Sequence, residues 1–428
     1  MLSKWQWILV HLKRTLWIRA AFYIFLALTT VTLAGFADAV APLTIPFDIG
    51  TGSVEAILNI LASTMLAVTT FSLTVMVAAY GAATANVTPR ATKLIRQDTT
   101  THTVLATFIG SFLFSLVAII ALKTGIYGTN GRLLIFLSTL MVVAIIVITM
   151  LRWIEHLSLL GRVGATTDRV EVETTAALQQ RLSTPCLGCH CWGANEPVPD
   201  SAINVLSAVT GYVQHVDTLA LQAWAEKHHA TLYIHGCPGS FVHPGQPLAA
   251  LTCDDSPPQD INEKIRTAFT IKAERTFDQD PRFGLSVMAE IASRALSPAV
   301  NDPGTAIDVI GRGVRLLSRW QSLPALKDDE LSSPRLKMRA LSLDDLFEDI
   351  FRPIARDGAS LVEVQIRLQK AFIALASLGQ PELTGAAIRH SGMAMAYAEQ
   401  GLTLAAEKAL IRELAQRLVN LQTAQASF

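Results

Sequence analysis

Charge is what this chain lacks. Of its 428 residues only 16% are Asp, Glu, Lys or Arg, and 35 basic residues cancel 35 acidic ones. A nucleic-acid binder is normally visibly basic, so no nucleic-acid partner is expected. Soluble domains carry ~25% charged residues, which implies that part of this chain avoids water. Cysteine is scarce as well, and five residues spread over such a length do not make a disulfide scaffold. Also missing are a Gly-rich phosphate loop, an H-E-x-x-H zinc motif and a G-x-S-x-G nucleophile elbow. No enzyme, cofactor or metal is therefore expected. What is present is apolar: 51% of the residues are hydrophobic, which excludes a disordered chain.

The few charges are unevenly placed. Residues 1–160 carry ten basic and five acidic groups, which leaves 25 basic and 30 acidic groups for residues 161–428. Within the charge-poor part, residues 20–40, 56–85, 103–122 and 133–151 each match the ~20 mostly apolar residues that a membrane-crossing helix needs. Ala39-Val40-Ala41 has the form of a signal cleavage site. The preceding run of 18 uncharged residues exceeds the ~7–15 of a signal core, so a retained anchor is expected. Lys4, Lys13, Arg14 and Arg19 precede the first span, Arg90, Lys93 and Arg96 separate the second from the third, and Arg152 and Arg162 follow the fourth. The positive-inside rule then places both termini in the cytoplasm. Trp5, Ile8, Leu9, Leu12 and Leu16 share one face of the N-terminal tail, consistent with an interfacial helix or with a simple extension of the first span.

The second span contains a stripe of small and hydroxylated residues at helical spacing: Ser63, Ala67, Thr70, Thr74, Ala78 and Gly81. Two readings stay open. Small residues let helices pack closely, and the same stripe repeated about an oligomer axis would line a pore. Mid-membrane ionisable groups are almost absent from the spans, which disfavours a proton pump or voltage sensor.

Beyond residue 157 a connecting helix leads to a loop containing "CLGCHC" (186–191). Its C-x-x-C-H matches a haem-attachment form, but that chemistry belongs to the outer side of a bacterial membrane and this loop is expected inside; as zinc ligands, Cys189, His190 and Cys191 are consecutive and too tightly spaced. A surface loop with reduced thiols is the expectation. Residues 202–252 read as short strands around a helix capped by Asp217, with a hairpin turning at Pro244-Gly245. That order resembles the barrel-sandwich domains of biotinyl and lipoyl carriers, without their modifiable lysine. His215, His228, His229, His235 and His243 follow no ligand spacing. Residues 283–296 read as a helix stopped by Ser297-Pro298, and Asp302-Pro303 starts the next. Around this corner stand Arg275, Asp280, Arg294, Asn301 and Asp302. They imply either a hydrogen-bonded corner or a small-anion or nucleotide site; an Asp-centred hydrolase is the third reading. Residues 327–339 read as a charged connector, and helices are expected at 344–355, 360–378, 381–400 and 405–422.

Four N-terminal spans, "TPR" after the second, "GYVQ", "ERTFDQDPRFG" and "LSPAVNDPGTA" together resemble the bacterial family known as domain of unknown function 2254, which consists of predicted membrane proteins. Ala299 stands where that family's pattern has glycine. The resemblance implies a multi-pass inner-membrane location and assigns no activity.

The expected organisation is an interfacial helix and four-helix transmembrane domain (1–156), a connecting helix and Cys-rich loop (157–199), a small barrel-sandwich-like β module (200–256) and a helical cytoplasmic domain (257–428). A homo-oligomeric channel or transport-like protein is one expected function, with the lipid bilayer and a small ion or anionic ligand as partners. The other is a non-transporting anchor that senses a ligand or scaffolds a partner.

Overall fold

The computed structural model describes residues 16–40, 51–96, 98–124, 129–159, 161–193, 196–253, 261–320 and 331–425. The proposed interfacial tail, Asp48 and the first part of the 327–339 connector lie outside these. The described residues form two compact units that divide between Thr166 and Thr167.

The N-terminal unit is helical: α1 (Leu16–Val40), α2 (Thr51–Asn86), α3 (Pro89–Arg96), α4 (Thr99–Lys123) and α5 (Thr129–Leu159). Among the described residues three segments, Gly52–Ala82, Thr100–Lys123 and Asn130–Ser158, are long and apolar enough to cross a membrane. The apolar part of α1, Tyr23–Phe36, is shorter. Of the four crossings expected from the sequence, three meet that measure. Helix α4 is central and packs against α1, α2 and α5. Helix α2 ends at Asn86, one residue past the expected span and just before Thr88-Pro89; its first residue falls five positions before the expected start. Asp98 caps α4 by accepting from the Thr100 and Thr101 amides and meets His156 near the end of α5 at 2.6 Å. At the opposite end of α4, Lys123 meets Glu55 of α2 at 3.4 Å. These pairs pin the antiparallel helices at both ends.

The C-terminal unit begins on α6 (Val163–Ser183) and holds two sheets. Strands β1 (Cys189–Trp192), β8 (Ser333–Arg339), β4 (Ala230–Ile234), β6 (Pro247–Cys253) and β2 (Ile203–Leu206) form the first in that spatial order. Its β1-β8-β4 part is parallel, and β6 and β2 continue it antiparallel. The second sheet is antiparallel, β5 (Phe241–Val242), β3 (Gly211–Val216) and β7 (Phe269–Lys272). Helix α7 (Thr218–Lys227), capped by Asp217 as expected, packs on β8 and β4.

This arrangement corrects the barrel-sandwich expectation. The expected hairpin around Gly245 does not form, because β5 pairs with β3 whereas β6 pairs with β4 and β2. The physical reason lies in β6, whose Leu248, Ala249, Ala250 and Leu251 are all buried, so neighbours on both edges are needed. The expected connector contributes an internal strand instead. In β8 the buried Ser333, Leu336 and Met338 are separated by more accessible Arg335, Lys337 and Arg339. Lys337 reaches Glu196 at 2.6 Å, so its charge is satisfied beside the sheet.

Helices α8 (Ile261–Thr267), α9 (Pro281–Ala295), α10 (Pro303–Leu317), α11 (Leu343–Asp357), α12 (Val362–Ala376), α13 (Pro381–Gly401) and α14 (Ala405–Gln425) complete the unit. The last four lie within a few residues of their expected limits. Pro353 lies inside α11 without ending it: Ile354 and Ala355 beyond it are buried with Ile350 and Phe351, and that packing outweighs the local break.

Candidate functional site

Along α2 the large residues Val54, Leu58, Leu61 and Met65 are buried within the N-terminal unit, together with Ser72. The stripe residues Ser63, Ala67, Thr70, Thr74, Ala78 and Gly81 are all exposed. At about 100° per residue the two faces are centred about 170° apart. Close packing inside this chain therefore falls to the Val54–Met65 face, and the small stripe is left uncovered together with the large residues Ile60, Leu66, Phe71, Leu73 and Val77. Each hydroxyl of the stripe donates back to its own helix: Ser63 to the Asn59 carbonyl at 3.0 Å, Thr70 to Leu66 at 2.9 Å and Thr74 to Thr70 at 3.0 Å. With their protons so engaged, the oxygens retain acceptor lone pairs toward the uncovered side.

In the C-terminal unit, the residues of the expected corner separate into two groups at opposite ends of α9. That helix has 15 residues and is about 22 Å long at ~1.5 Å per residue. At its start Asp280 accepts from the Phe283 amide at 3.1 Å and binds Arg275 through both oxygens, at 2.8 and 3.0 Å. The Arg275 guanidinium also lies 5.2 Å from the Phe283 ring centroid. Gly239, in a left-handed conformation (φ +92°), passes so close that a Cβ there would collide with the Asp280 carboxylate. Past the other end, Asn301 is left-handed (φ 50°) and Asp302 caps α10. Asp302 accepts from the Thr305 amide at 3.1 Å and the Thr305 hydroxyl at 2.5 Å. Arg294 lies in the last turn of α9. The two groups do not build one anion site.

Those Thr305 bonds hold the Asp302 carboxyl below its ordinary value of 3.8. A carboxyl depressed on folding stabilises above its unfolded value, so this contribution is present above about pH 4 and lost as the pH falls further. Asp302→Ala should cost about 1 kcal/mol at neutral pH. Chemical denaturation of variant and parent at pH 7 and pH 3 checks this: a difference that does not shrink at the lower pH would refute it.

One concavity of the unit is not foreshadowed by the sequence. A cavity of about 560 Å³ is lined by Arg181 of α6, by the Cys186–Cys191 segment, by Trp320 after α10, by Leu341 and Leu343, and by Glu382 and Arg389 of α13. The Cys-rich segment is no surface loop. Pro185–Gly188 forms a buried 3-10 turn, and the next residues are strand β1. Cys186 and Cys191 are joined by a disulfide, which corrects the reduced-thiol expectation, while Cys189 is a buried free thiol. Cys186 and Leu187 adopt φ of 51° and 55°, and Gly188 follows at 75°. Three successive left-handed residues bring the ends of a short loop together.

Arg181 is only 7% exposed, and its Nη1 lies 4.0 Å from the Met338 thioether. At the cavity, Asp344 accepts two bonds from Arg389 at 2.6 Å, and Glu382 accepts from the Trp320 indole at 2.9 Å. Burial pushes the Cys189 thiol up to about 12 and raises Cys237 as well, so both remain neutral. The histidines singled out in the sequence are dispersed. His228 stacks on Trp224, His235 meets Trp192 edge-on, and His243 contacts the Pro244 carbonyl. Among the described residues no three metal-ligating side chains converge.

The profile of a family described as "Predicted membrane protein (DUF2254)" matches residues 13–374. Similar curated proteins include uncharacterized proteins of Mycobacterium tuberculosis and Mycobacterium bovis. Each is 26% identical over 268 residues, which cover 60% of this chain and 51% of the relative. The chain thus spans about half the length of the curated relatives it matches. No solved structure matches it.

Proposed function

The chain belongs to the DUF2254 family of predicted membrane proteins, and we propose that it is a homo-oligomeric channel or transport-like protein of the bacterial inner membrane. In this reading α1 is the fourth crossing, since it packs on α4 and α5. Both termini and the C-terminal unit lie in the cytoplasm, on the side where Arg90, Lys93, Arg152 and Arg162 cluster in the sequence. The protein is non-enzymatic and uses its C-terminal unit for regulation.

The uncovered small face of α2 carries the proposal. Lipid is as apolar as leucine, so a helix gains nothing by hiding its large residues from it, whereas small faces favour close helix contact. A second copy is the natural occupant of that face, and Ser63, Thr70 and Thr74 would then present oxygens along the contact or around an axis. Selectivity would follow from diameter and hydroxyl oxygens, without a charge ring.

The test is native mass spectrometry of the full chain in detergent, followed by planar-bilayer recording. We expect an oligomer with a measurable conductance that Thr70→Trp reduces at least tenfold. A verified oligomer that stays silent, or a conductance indifferent to Thr70→Trp, excludes the pore.

The cavity in the C-terminal unit favours a second reading, a non-transporting membrane anchor that senses a ligand. A silent oligomer that nevertheless binds a small molecule in that cavity would select it.

A further inference from the structure

A guanidinium holds its proton far more tightly than other side-chain bases, so a buried arginine has to find an anion. Among the described residues Arg181 has not found one. The hydrogen bond from its Nη1 goes to the Met338 thioether, an uncharged and weak acceptor. Among the described residues no carboxylate forms an ion pair with it. The carboxylate whose field reaches it is Asp280. Both oxygens of Asp280 are already held by Arg275, and one also accepts the Phe283 amide.

Cys189 and Cys237 also interact with the guanidinium, but burial keeps them as neutral thiols. Arg181 therefore draws on a carboxylate that Arg275 already holds. Burial accordingly pulls Arg181 below the usual guanidinium range. An uncompensated interior charge is unfavourable, and its presence beside a cavity calls for a counter-ion from outside the chain.

The cavity suits one. Its volume, about 560 Å³, falls in the ~300–1,000 Å³ range of small-molecule sites. Asp344 is already held by Arg389, and Leu341, Leu343 and Trp320 supply an apolar wall. Glu382 accepts from the neutral indole of Trp320 and not from a cation, so a carboxylate in the lining disfavours a polyanion.

We infer that this cavity binds a small organic anion bearing one carboxylate or phosphate group, which pairs with Arg181 while its apolar body lies against Leu341 and Trp320. The inference holds whether or not the membrane unit conducts. It is independent of the corner residues Arg294, Asn301 and Asp302.

The test uses the full chain in detergent, at fixed ionic strength, titrated with benzoate, phenyl phosphate and citrate while heat of binding and melting temperature are followed. Benzoate or phenyl phosphate should bind saturably and raise the melting temperature, and citrate should bind at least tenfold more weakly. Whichever of the two binds tighter identifies the head group. Arg181→Met should melt at or above the parent temperature without ligand, because it removes an unpaired charge, and should lose at least tenfold in affinity. Leu341→Trp leaves Arg181 in place and should lose binding by filling the cavity. The inference is overturned if neither probe binds the parent, or if binding survives in both variants. It also fails if Arg181→Met melts below the parent or does not fold, since the arginine would then be serving the fold alone.

Discussion

Replacing Asp280 by alanine is expected to destabilise the C-terminal unit by about 3–5 kcal/mol, the range for breaking a buried ion pair. Three consequences coincide at this carboxylate. The Phe283 amide loses its cap, Arg275 loses both its acceptors, and the field that partly offsets Arg181 disappears. The side chain of Asp280 is 5% exposed, so water cannot take over these roles. Asp280→Asn retains an oxygen for the cap but not the charge, and should fall between parent and alanine variant. For a unit of this size the alanine change corresponds to roughly 10 °C in melting temperature. Thermal melts of the full-length variants in detergent measure it, and an asparagine variant as stable as the parent would show that charge is not what Asp280 supplies. The same pair of variants bears on the cavity: without Asp280, Arg181 carries still less compensation, so affinity for benzoate or phenyl phosphate should rise in whatever fraction remains folded.

The second large effect is expected at Phe347, where alanine should cost about 3–5 kcal/mol. Phe347 is fully buried on α11 and meets Phe351, Phe372 and His390 at ring-centroid distances of 5.4, 6.3 and 5.4 Å. It therefore joins three helices, α11, α12 and α13. Truncation leaves a cavity that rigid helices cannot close, whereas Phe347→Leu should cost far less because most of the volume is kept. Proteolysis of the C-terminal unit as a function of denaturant reads both. Equal sensitivity of the alanine variant and its parent would contradict this account of the helical core.

Much of the local structure was legible. Asp302-Pro303 announces a helix start, and Asp217 announces another; both form as read. Asp280-Pro281 repeats the first pattern, and its cap could have been recognised by the same rule. Strand β8 was also within reach. Its "SPRLKMR" alternates buried and accessible positions, but the basic residues suggested a solvated connector because their partners, Glu196 for Lys337 among them, are distant in the chain. The Cys-rich segment hides for another reason. A strand of four residues has little pattern of its own, and β1 exists because β8 lies beside it.

Arg181 had no sequence signature at all. One basic residue near the end of an amphipathic helix reads as a favourable last-turn charge, and only its surroundings reveal it as an unpaired cation. The α2 stripe is the opposite case. Its residues and spacing were plain, but which face packs inward depended on what α4 offers, and the buried face is the one with Val54, Leu58, Leu61 and Met65.

By itself the sequence determined the properties that depend on near neighbours or on composition: the apolar helices, their caps and stops, and the division into a charge-poor and a charge-rich part. Helical hydrogen bonds span four residues and the hydrophobic effect sums over local surface, so both leave their mark in short windows. Tertiary structure alone decided strand order, the path of β8 into the first sheet, the separation of Arg275 and Asp280 from Asn301 and Asp302, and the cavity at Arg181. Each of these depends on groups far apart in the chain meeting in space, where a charge is paired or left over only once every neighbour has taken its place.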